Sequence, residues 1–109
     1  MIKKVLCGTP RHLSKSGRLR CLTYLMINLP FLCNYKCKKC FNLEDNGFHI
    51  PENTLEIGRI LALIADARDA KAKVIVLAGE GEPSLDKDIK KIIGTIDSLG
   101  MLSIVYSNG

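Results

Sequence analysis

The chain has 109 residues, a hydrophobic content of 47% and a formal net charge of +5, from 16 Lys and Arg against 11 Asp and Glu. This length suits one small domain, and the hydrophobic content is too high for a disordered chain. No apolar run reaches the roughly 18 residues that a membrane span needs. The basic start at residues 1–8 lacks the longer apolar stretch of a signal peptide, so we expect a cytoplasmic protein with no membrane partner.

Residues 1–21 form a basic extension ahead of the first predicted strand. Its charge comes from six basic side chains with no acidic one before residue 21: Lys3, Lys4, Arg11, Lys15, Arg18 and Arg20. A solvated extension is the default interpretation, and a contact surface for RNA or another acidic partner is the alternative. Residues 22–109 are the predicted folded domain.

The first predicted element is a strand over residues 22–29, a β-rich apolar run that Pro30 ends. Residues 30–52 show no period, and a loop this long inside a compact domain is usually functional or disordered. The loop contains Cys33, Cys37 and Cys40 in a C-x3-C-x2-C spacing. We refer to residues 32–40 as the cysteine segment.

A helix and a buried strand are predicted next. Asn53, with Glu56 three residues on, predicts a capping box at the start of the helix. The apolar face of this helix has the spacing i, i+3, i+4, i+7 and consists of Ile57, Ile60, Leu61 and Ile64. Residues 74–78 are apolar on both faces, which is typical of a buried parallel strand.

A second helix and a third strand complete the pattern. Ser84 is the predicted helix cap, with Asp86 and Asp88 in the first turn, and Gly100 is the predicted C′ residue. The apolar stripe consists of Leu85, Ile89, Ile92, Ile93, Ile96 and Leu99. With residues 102–106 as the third strand, the β-α-β-α-β order predicts an α/β fold with right-handed crossovers and a parallel sheet.

Chemistry-bearing residues follow each predicted strand. The cysteine segment follows the first strand, Gly79–Pro83 follows the second, and Asn108 with Gly109 follows the third. Ligands of parallel sheets lie at the carboxyl ends of the strands, so this order predicts a single ligand site.

The cysteines indicate a metal site. The total of five is odd, no secretion signal is visible, and three of them cluster, which favours metal over disulfides in a reducing compartment. Three thiolates on one short loop can bind three irons of a cubane cluster and leave the fourth iron open to a ligand. A structural zinc site with His49 or Cys21 as the fourth ligand is the alternative. Cys7 has no predicted role.

The three motifs, in this order, resemble the radical S-adenosylmethionine (radical SAM) superfamily. C-x3-C-x2-C after an apolar strand is similar to its signature, Gly79–Pro83 (G-E-G-E-P) resembles its G-G-E-P segment, and Tyr106–Gly109 (Y-S-N-G) resembles its T-N-G. The resemblance covers residues 22–109. It implies a partial (β/α)6 barrel, similar to a TIM barrel, of which this chain supplies the N-terminal part.

The resemblance also implies the cofactors and their contacts. The three cysteines would hold a 4Fe–4S cluster whose open iron binds the amino and carboxylate groups of S-adenosylmethionine. An electron from a donor partner would cleave the cofactor to a 5′-deoxyadenosyl radical that abstracts hydrogen from a substrate, whose identity the sequence does not predict. Glu82 would accept a hydrogen bond from the cofactor's amino group. The full set of implied cofactor contacts is Gly79, Gly81, Glu82, Lys39 and Phe41.

Two positions depart from the family pattern. Glu80 stands where the family has the first glycine of G-G-E. Gly79 beside it would therefore have to allow the close approach of the cofactor to the main chain. Lys39 stands where the family has an apolar or aromatic residue. With Lys36 and Lys38 it would offset the negative charge of cluster and carboxylate, or form solvated charge.

The later strands of such a barrel have no counterpart in this sequence. A second polypeptide, self-association, or a longer reading frame of which this is a fragment would each explain the short length, and we expect the fragment. The alternative function is a non-catalytic metal-binding module, either a zinc knuckle or a small electron-carrier or scaffold domain.

Overall fold

The computed structural model describes residues 21–29, 32–38, 40, 55–79 and 81–109. Within these residues, strands and helices alternate in the predicted order. The elements are β1 (Tyr24–Leu29), α1 (Ile57–Asp69), β2 (Val74–Gly79), a 3₁₀ turn (Pro83–Leu85), α2 (Ile89–Ser98) and β3 (Leu102–Val105). The three predicted strands are confirmed, with ends that differ by one or two residues.

The strands form one parallel sheet in the order β1-β2-β3. The β1–β2 pairing runs from Tyr24 opposite Val74 to Leu29 opposite Gly79, and the β2–β3 pairing runs from Val74 opposite Leu102. The ladder continues past β3, since the Tyr106 amide donates to the Leu77 carbonyl at 3.0 Å. This register brings the carboxyl ends of the three strands to one edge of the sheet, as predicted.

Both helices pack on the same face of this sheet. Alternate strand residues and one stripe from each helix form a single core that contains Ile27, Leu29, Ile60, Ile64, Ile75, Leu77, Ile92 and Ile96. Burial of each such side chain contributes about 1.5–3 kcal/mol. Sequential strand order with helices on one face is the arrangement of singly wound β/α units, whereas doubly wound sheets reverse their strand order and carry helices on both faces.

The predicted start of α1 is wrong. The N-cap is Glu56, in an extended conformation without a side-chain cap bond, and its carbonyl accepts from the amides of Arg59 and Ile60 at 2.9 and 3.1 Å. Asn53 lies outside the described residues. The helix therefore begins at Ile57, the first residue of its apolar face, because packing against the core decides the boundary.

The predicted start of α2 is also wrong. Asp88, not Ser84, occupies the N-cap position, and Ser84 lies in the 3₁₀ turn. The Asp86 carboxylate accepts from the Asp88 amide at 2.7 Å, a local turn that delays the helix. Leu85 consequently falls outside the helix and is 44% exposed, whereas Ile92 in the stripe is fully buried.

The two helices end in the same way, and the role predicted for Gly100 is confirmed. Gly100 has φ +70°, and the Met101 amide donates to the Ile96 carbonyl at 3.1 Å, as in a Schellman motif. The equivalent residue after α1 is Lys71 with φ +69°, and the Ala72 amide donates back into that helix at 2.9 Å. Neither described helix combines the length and apolar character needed to cross a membrane.

Candidate functional site

The carboxyl edge of the sheet is organised around Glu82, three residues after the end of β2. Its amide donates to the carbonyl of Leu32 at 2.8 Å, which joins the residue to the cysteine segment. Its side chain contacts Ser107 and Asn108, which follow β3. Glu82 therefore connects all three segments that the sequence placed at this edge.

The carboxylate of Glu82 is buried, with 2% of the residue exposed. Oε1 accepts hydrogen bonds from the Ser84 amide at 3.0 Å and from the Ser107 hydroxyl at 2.8 Å. Oε2 accepts from the Asn108 amide at 2.8 Å. Hydrogen bonds to an ionised acceptor are shorter and stronger than neutral ones, so these three bonds hold both strand ends against the carboxylate.

These bonds lower the pKa of Glu82 from its ordinary 4.5 to about 2. The amide of Asn108 makes the largest contribution, burial acts in the opposite direction, and the bonds from Ser84 and Ser107 lower the pKa further. Glu82 is consequently ionised at neutral pH. The edge of the sheet carries a fixed negative charge whose main partners are neutral donors.

Asn108 links the end of β3 to the cysteine segment. Its side-chain Nδ2 donates to Oδ1 of Asn34 at 3.0 Å and lies 3.8 Å from the sulfur of Cys33, within hydrogen-bond range for sulfur. The first and third motifs of the sequence are thus in direct contact. Residues separated by more than 70 positions meet here because the parallel register aligns the strand ends.

The three clustered cysteines carry thiols that are not in disulfides. Cys33 and Cys40 are partly buried and Cys37 is exposed, and the Cys40 amide donates to the Cys37 carbonyl at 3.1 Å. Within the described part of the chain, no three His, Cys, Asp or Glu side chains converge on a point that could hold a metal ion. In this structure Cys33 therefore contacts Asn108, but the three thiols are not close enough together to bind one metal ion.

The donor set nonetheless fits a thiolate-ligated cluster. Three reduced thiols lie on one short segment, at the edge where ligands of parallel sheets bind, and an N–H donor lies near the first of them. Metal sites are rarely preformed, since metal binding and local folding are coupled. Gathering of the three sulfurs is a change that the metal itself would drive.

Cys21 does not belong to this site. It precedes β1, whereas Cys33 follows it, and six strand residues span roughly 20 Å. The alternative in which Cys21 completes a zinc site with the cysteine segment is therefore wrong. His49, the other candidate fourth ligand, lies outside the described residues.

Gly79 has a structural reason to be glycine. A Cβ atom at this position would lie 2.7 Å from the carbonyl oxygen of Leu29, the residue that pairs with it in β1. Sequence reasoning attributed the glycine to close approach of a ligand, but the neighbouring strand already requires it. A cofactor contact at Gly79 or at the partly buried Gly81 stays a prediction.

The remaining predicted contacts fall outside the described residues. Lys39 and Phe41 are among them, and so is Glu80, the departure from the family pattern. Lys36 and Lys38 are exposed. Their predicted roles near a cofactor stay predictions.

Sequence reasoning missed the function of three residues at this edge. Ser84 was predicted to cap a helix, Ser107 entered only through a short family resemblance, and Asn108 was placed at the shared edge without a partner. All three donate to Glu82. The sequence did contain a signal for these contacts. Small polar side chains that directly follow an apolar strand are well placed to bind a carboxylate that follows the neighbouring strand.

Two characterised proteins are similar to this chain. One is the S-adenosylmethionine-dependent nucleotide dehydratase of Lacinutrix mariniflava, 31% identical over 100 residues that cover 90% of this chain and 21% of that protein. The other is the Fe-coproporphyrin III synthase of Methanosarcina barkeri, 28% identical over an alignment covering 99% of this chain and 30% of that protein. No family model matches the chain, and no solved structure matches it.

These similarities support the resemblance to the radical SAM superfamily, and both relatives have the names of enzymes. The name of the first relative states a dependence on S-adenosylmethionine. The chain spans less than a third of either relative. Reaction, substrate and partners of a whole protein of this kind are therefore matters of proposal.

Proposed function

We propose that this chain is part of the core of a radical SAM enzyme. Residues 22–109 would be the first β/α units of a partial (β/α)6 barrel, and residues 1–21 a basic extension. The observation that carries the proposal is the meeting of three motifs at one sheet edge through Glu82 and Asn108. Similarity to an S-adenosylmethionine-dependent dehydratase supports it.

The architecture supports the barrel in particular. Strand order follows the sequence, and α1 and α2 share one core on one face of the sheet. Repetition of such units curves a sheet into a barrel with helices outside and ligands at the carboxyl ends of the strands. Among the described residues β3 is an edge strand, and its outer edge would pair with the next strand, supplied by further residues of a longer protein or by a second polypeptide.

The cysteine segment would hold the metal cofactor. Cys33, Cys37 and Cys40 would bind three irons of a 4Fe–4S cluster and leave the fourth to S-adenosylmethionine. When bound, this cluster would supply one electron, received from an external donor, for reductive cleavage of S-adenosylmethionine to methionine and a 5′-deoxyadenosyl radical, which would abstract hydrogen from the substrate. The protein's own residues position the two cofactors.

Glu82 would act in two ways. Its ionised carboxylate would accept an N–H of the iron-bound amino group of the cofactor, because Oε2 accepts a single bond from the described residues, which leaves a second acceptor position. Its bonds to Ser107 and Asn108 also fix the end of β3. Lys39, Phe41 and Gly81 would flank the cofactor from the segments on either side.

The test is anaerobic reconstitution with iron and sulfide, followed by EPR of the reduced protein with and without S-adenosylmethionine. We expect a 4Fe–4S signal that changes when the cofactor is added. Cys37→Ala should remove most of the bound iron, and Cys21→Ser is the matched control that should retain it. One tightly bound zinc per chain, colourless and stable in air, would instead support a non-catalytic metal-binding module.

A further inference from the structure

The strongest unassigned feature is the contact between Asn108 and the first cysteine of the segment. We propose that Asn108 is a positioning residue that fixes Cys33 as the pre-placed ligand of the cluster and donates an N–H to its sulfur. This inference rests on the proposed function. It adds a difference among the three cysteines: Cys33 is held in place before metal binds, whereas Cys37 and Cys40 come into position when metal binds.

The first step of the argument is the anchor of Asn108. Its side chain is exposed, so water competes for its donors, but its amide donates at 2.8 Å to the buried carboxylate of Glu82. The preceding residue, Ser107, donates its hydroxyl to the same carboxylate at 2.8 Å. Two bonds to one ionised group fix the main chain that presents the Asn108 carboxamide.

The second step is the use of the two N–H groups of that carboxamide. One meets Oδ1 of Asn34 at 3.0 Å, an ordinary hydrogen-bond distance. The Cys33 sulfur lies at 3.8 Å, which is long, so the Asn34 bond holds the segment and the sulfur contact is mainly electrostatic. Ionisation of Cys33 on metal binding would strengthen that contact, because charge-assisted hydrogen bonds are shorter.

The third step is that both chain neighbours of Cys33 are held, directly or through Asn108, by the same residue, Glu82. The Leu32 carbonyl accepts from the amide of Glu82 at 2.8 Å, and Asn34 accepts from Asn108, whose main chain Glu82 holds. Cys37 and Cys40, by contrast, share a local main-chain bond with each other at 3.1 Å. Cys33 is therefore tied to strands β2 and β3, and the bond described for the other two is a local turn.

The consequence concerns the reduction potential of the cluster. N–H donors to ligand sulfur stabilise the more negative, reduced state and raise the potential. Asn108→Ala should lower the midpoint potential of the reconstituted cluster by up to about 59 mV, which corresponds to a tenfold change in the one-electron equilibrium constant. Asn108→Asp should lower it further, because it replaces a donor with a negative charge. Ser98→Ala is the control, since the exposed Ser98 donates to the Thr95 carbonyl at the end of α2, away from the carboxyl edge.

The experiment combines two readouts on the full chain. In the metal-free protein, NMR should show nuclear Overhauser contacts from the Asn108 side-chain amide to protons of Cys33 or Asn34, independently of any cluster. In the reconstituted protein, EPR-monitored redox titration should give the highest midpoint potential for wild type and Ser98→Ala, a lower one for Asn108→Ala and the lowest for Asn108→Asp. If Asn108→Ala fails to fold, Asn34→Ala removes the same 3.0 Å bond from the other side and should weaken iron binding relative to Ser98→Ala.

The outcomes separate the two hypotheses. Absence of a cluster in the wild-type chain overturns the proposed function, and this inference with it, even if the Overhauser contacts are present. A normal wild-type cluster whose potential is the same in Asn108→Ala and Ser98→Ala overturns the inference alone. Missing Overhauser contacts in a folded metal-free chain overturn the pre-placement of Cys33.

Discussion

The two edges of the sheet are built by different means. At the amino edge, the bonds are made by the main chain, both within a helix end, such as Met101 to Ile96 at 3.1 Å, and between elements, such as Leu22 to Ala70 at 2.8 Å. At the carboxyl edge, side chains join distant segments: the Glu82 carboxylate binds Ser107 and Asn108, 25 and 26 positions away, and the Asn108 side chain contacts Asn34 and Cys33, 74 and 75 positions away. A side-chain substitution at the amino edge should therefore have a local effect, whereas loss of the Glu82 carboxylate should loosen the whole carboxyl edge. Parallel β/α folds generally place stability at the first kind of edge and ligands at the second.

The largest expected effect on stability is that of Glu82→Ala. The change leaves three donors without their acceptor, and loss of hydrogen bonds to a charged group costs about 2–3 kcal/mol of unfolding free energy. Urea denaturation measures this cost. Glu56→Ala is the matched control, because Glu56 is exposed and makes no side-chain cap bond, and it should change stability by less than about 0.5 kcal/mol. Equal effects of the two substitutions would show that the carboxyl edge does not depend on Glu82.

The same carboxylate should make stability depend on pH. Because the pKa of Glu82 is lowered to about 2 in the folded state, its contribution is fully present above the unfolded value of 4.5. It is lost as pH falls from 4.5 towards 2. The stability difference between wild type and Glu82→Gln should therefore shrink over this range in acid denaturation curves. A difference that stays constant down to pH 2 would contradict the lowered pKa.

A smaller effect is expected where β1 and β2 touch. Gly79→Ala would place a methyl group 2.7 Å from the Leu29 carbonyl oxygen, and such overpacking costs about 1–3 kcal/mol. Gly94→Ala is the control, and its effect on the unfolding free energy should have the opposite sign. The added Cβ meets open space in α2, so the substitution should stabilise the protein by about 0.5–1 kcal/mol. Thermal unfolding of both variants checks the pair. A neutral Gly79→Ala would mean that the strand ends can separate without cost.

The smallest effects belong to the helix ends of the amino edge. Lys71 adopts φ +69° where Gly100 adopts φ +70° after the other helix, and a side chain in this region costs about 1 kcal/mol. Lys71→Gly should therefore stabilise the protein slightly, and Gly100→Ala should destabilise it by a similar amount. Neither should alter iron binding at the opposite edge. A change in bound iron in either variant would refute the independence of the two edges.

The sequence by itself determined the secondary-structure order and the shared edge of the motifs. Apolar periodicity identified both helices and all three strands, and Gly100 was correctly placed because a left-handed turn at a helix end is a local property of the chain. The predicted helix starts at Asn53 and Ser84 were wrong, since local capping signals compete with packing and with turns such as that of Asp86. Position of the cysteine segment relative to the strands followed from parallel topology alone.

Tertiary structure alone decided what the polar residues of the carboxyl edge contact. Sequence reasoning gave Glu82 a cofactor as partner, but the fold supplies it with Ser84, Ser107 and Asn108. It likewise assigned Gly79 to a ligand, although Leu29 already requires the glycine. These contacts join segments distant in sequence, and the strand register sets their distances. No local pattern encodes that register, because it results from burying the side chains of both helices and of strands β1 and β2 in one core.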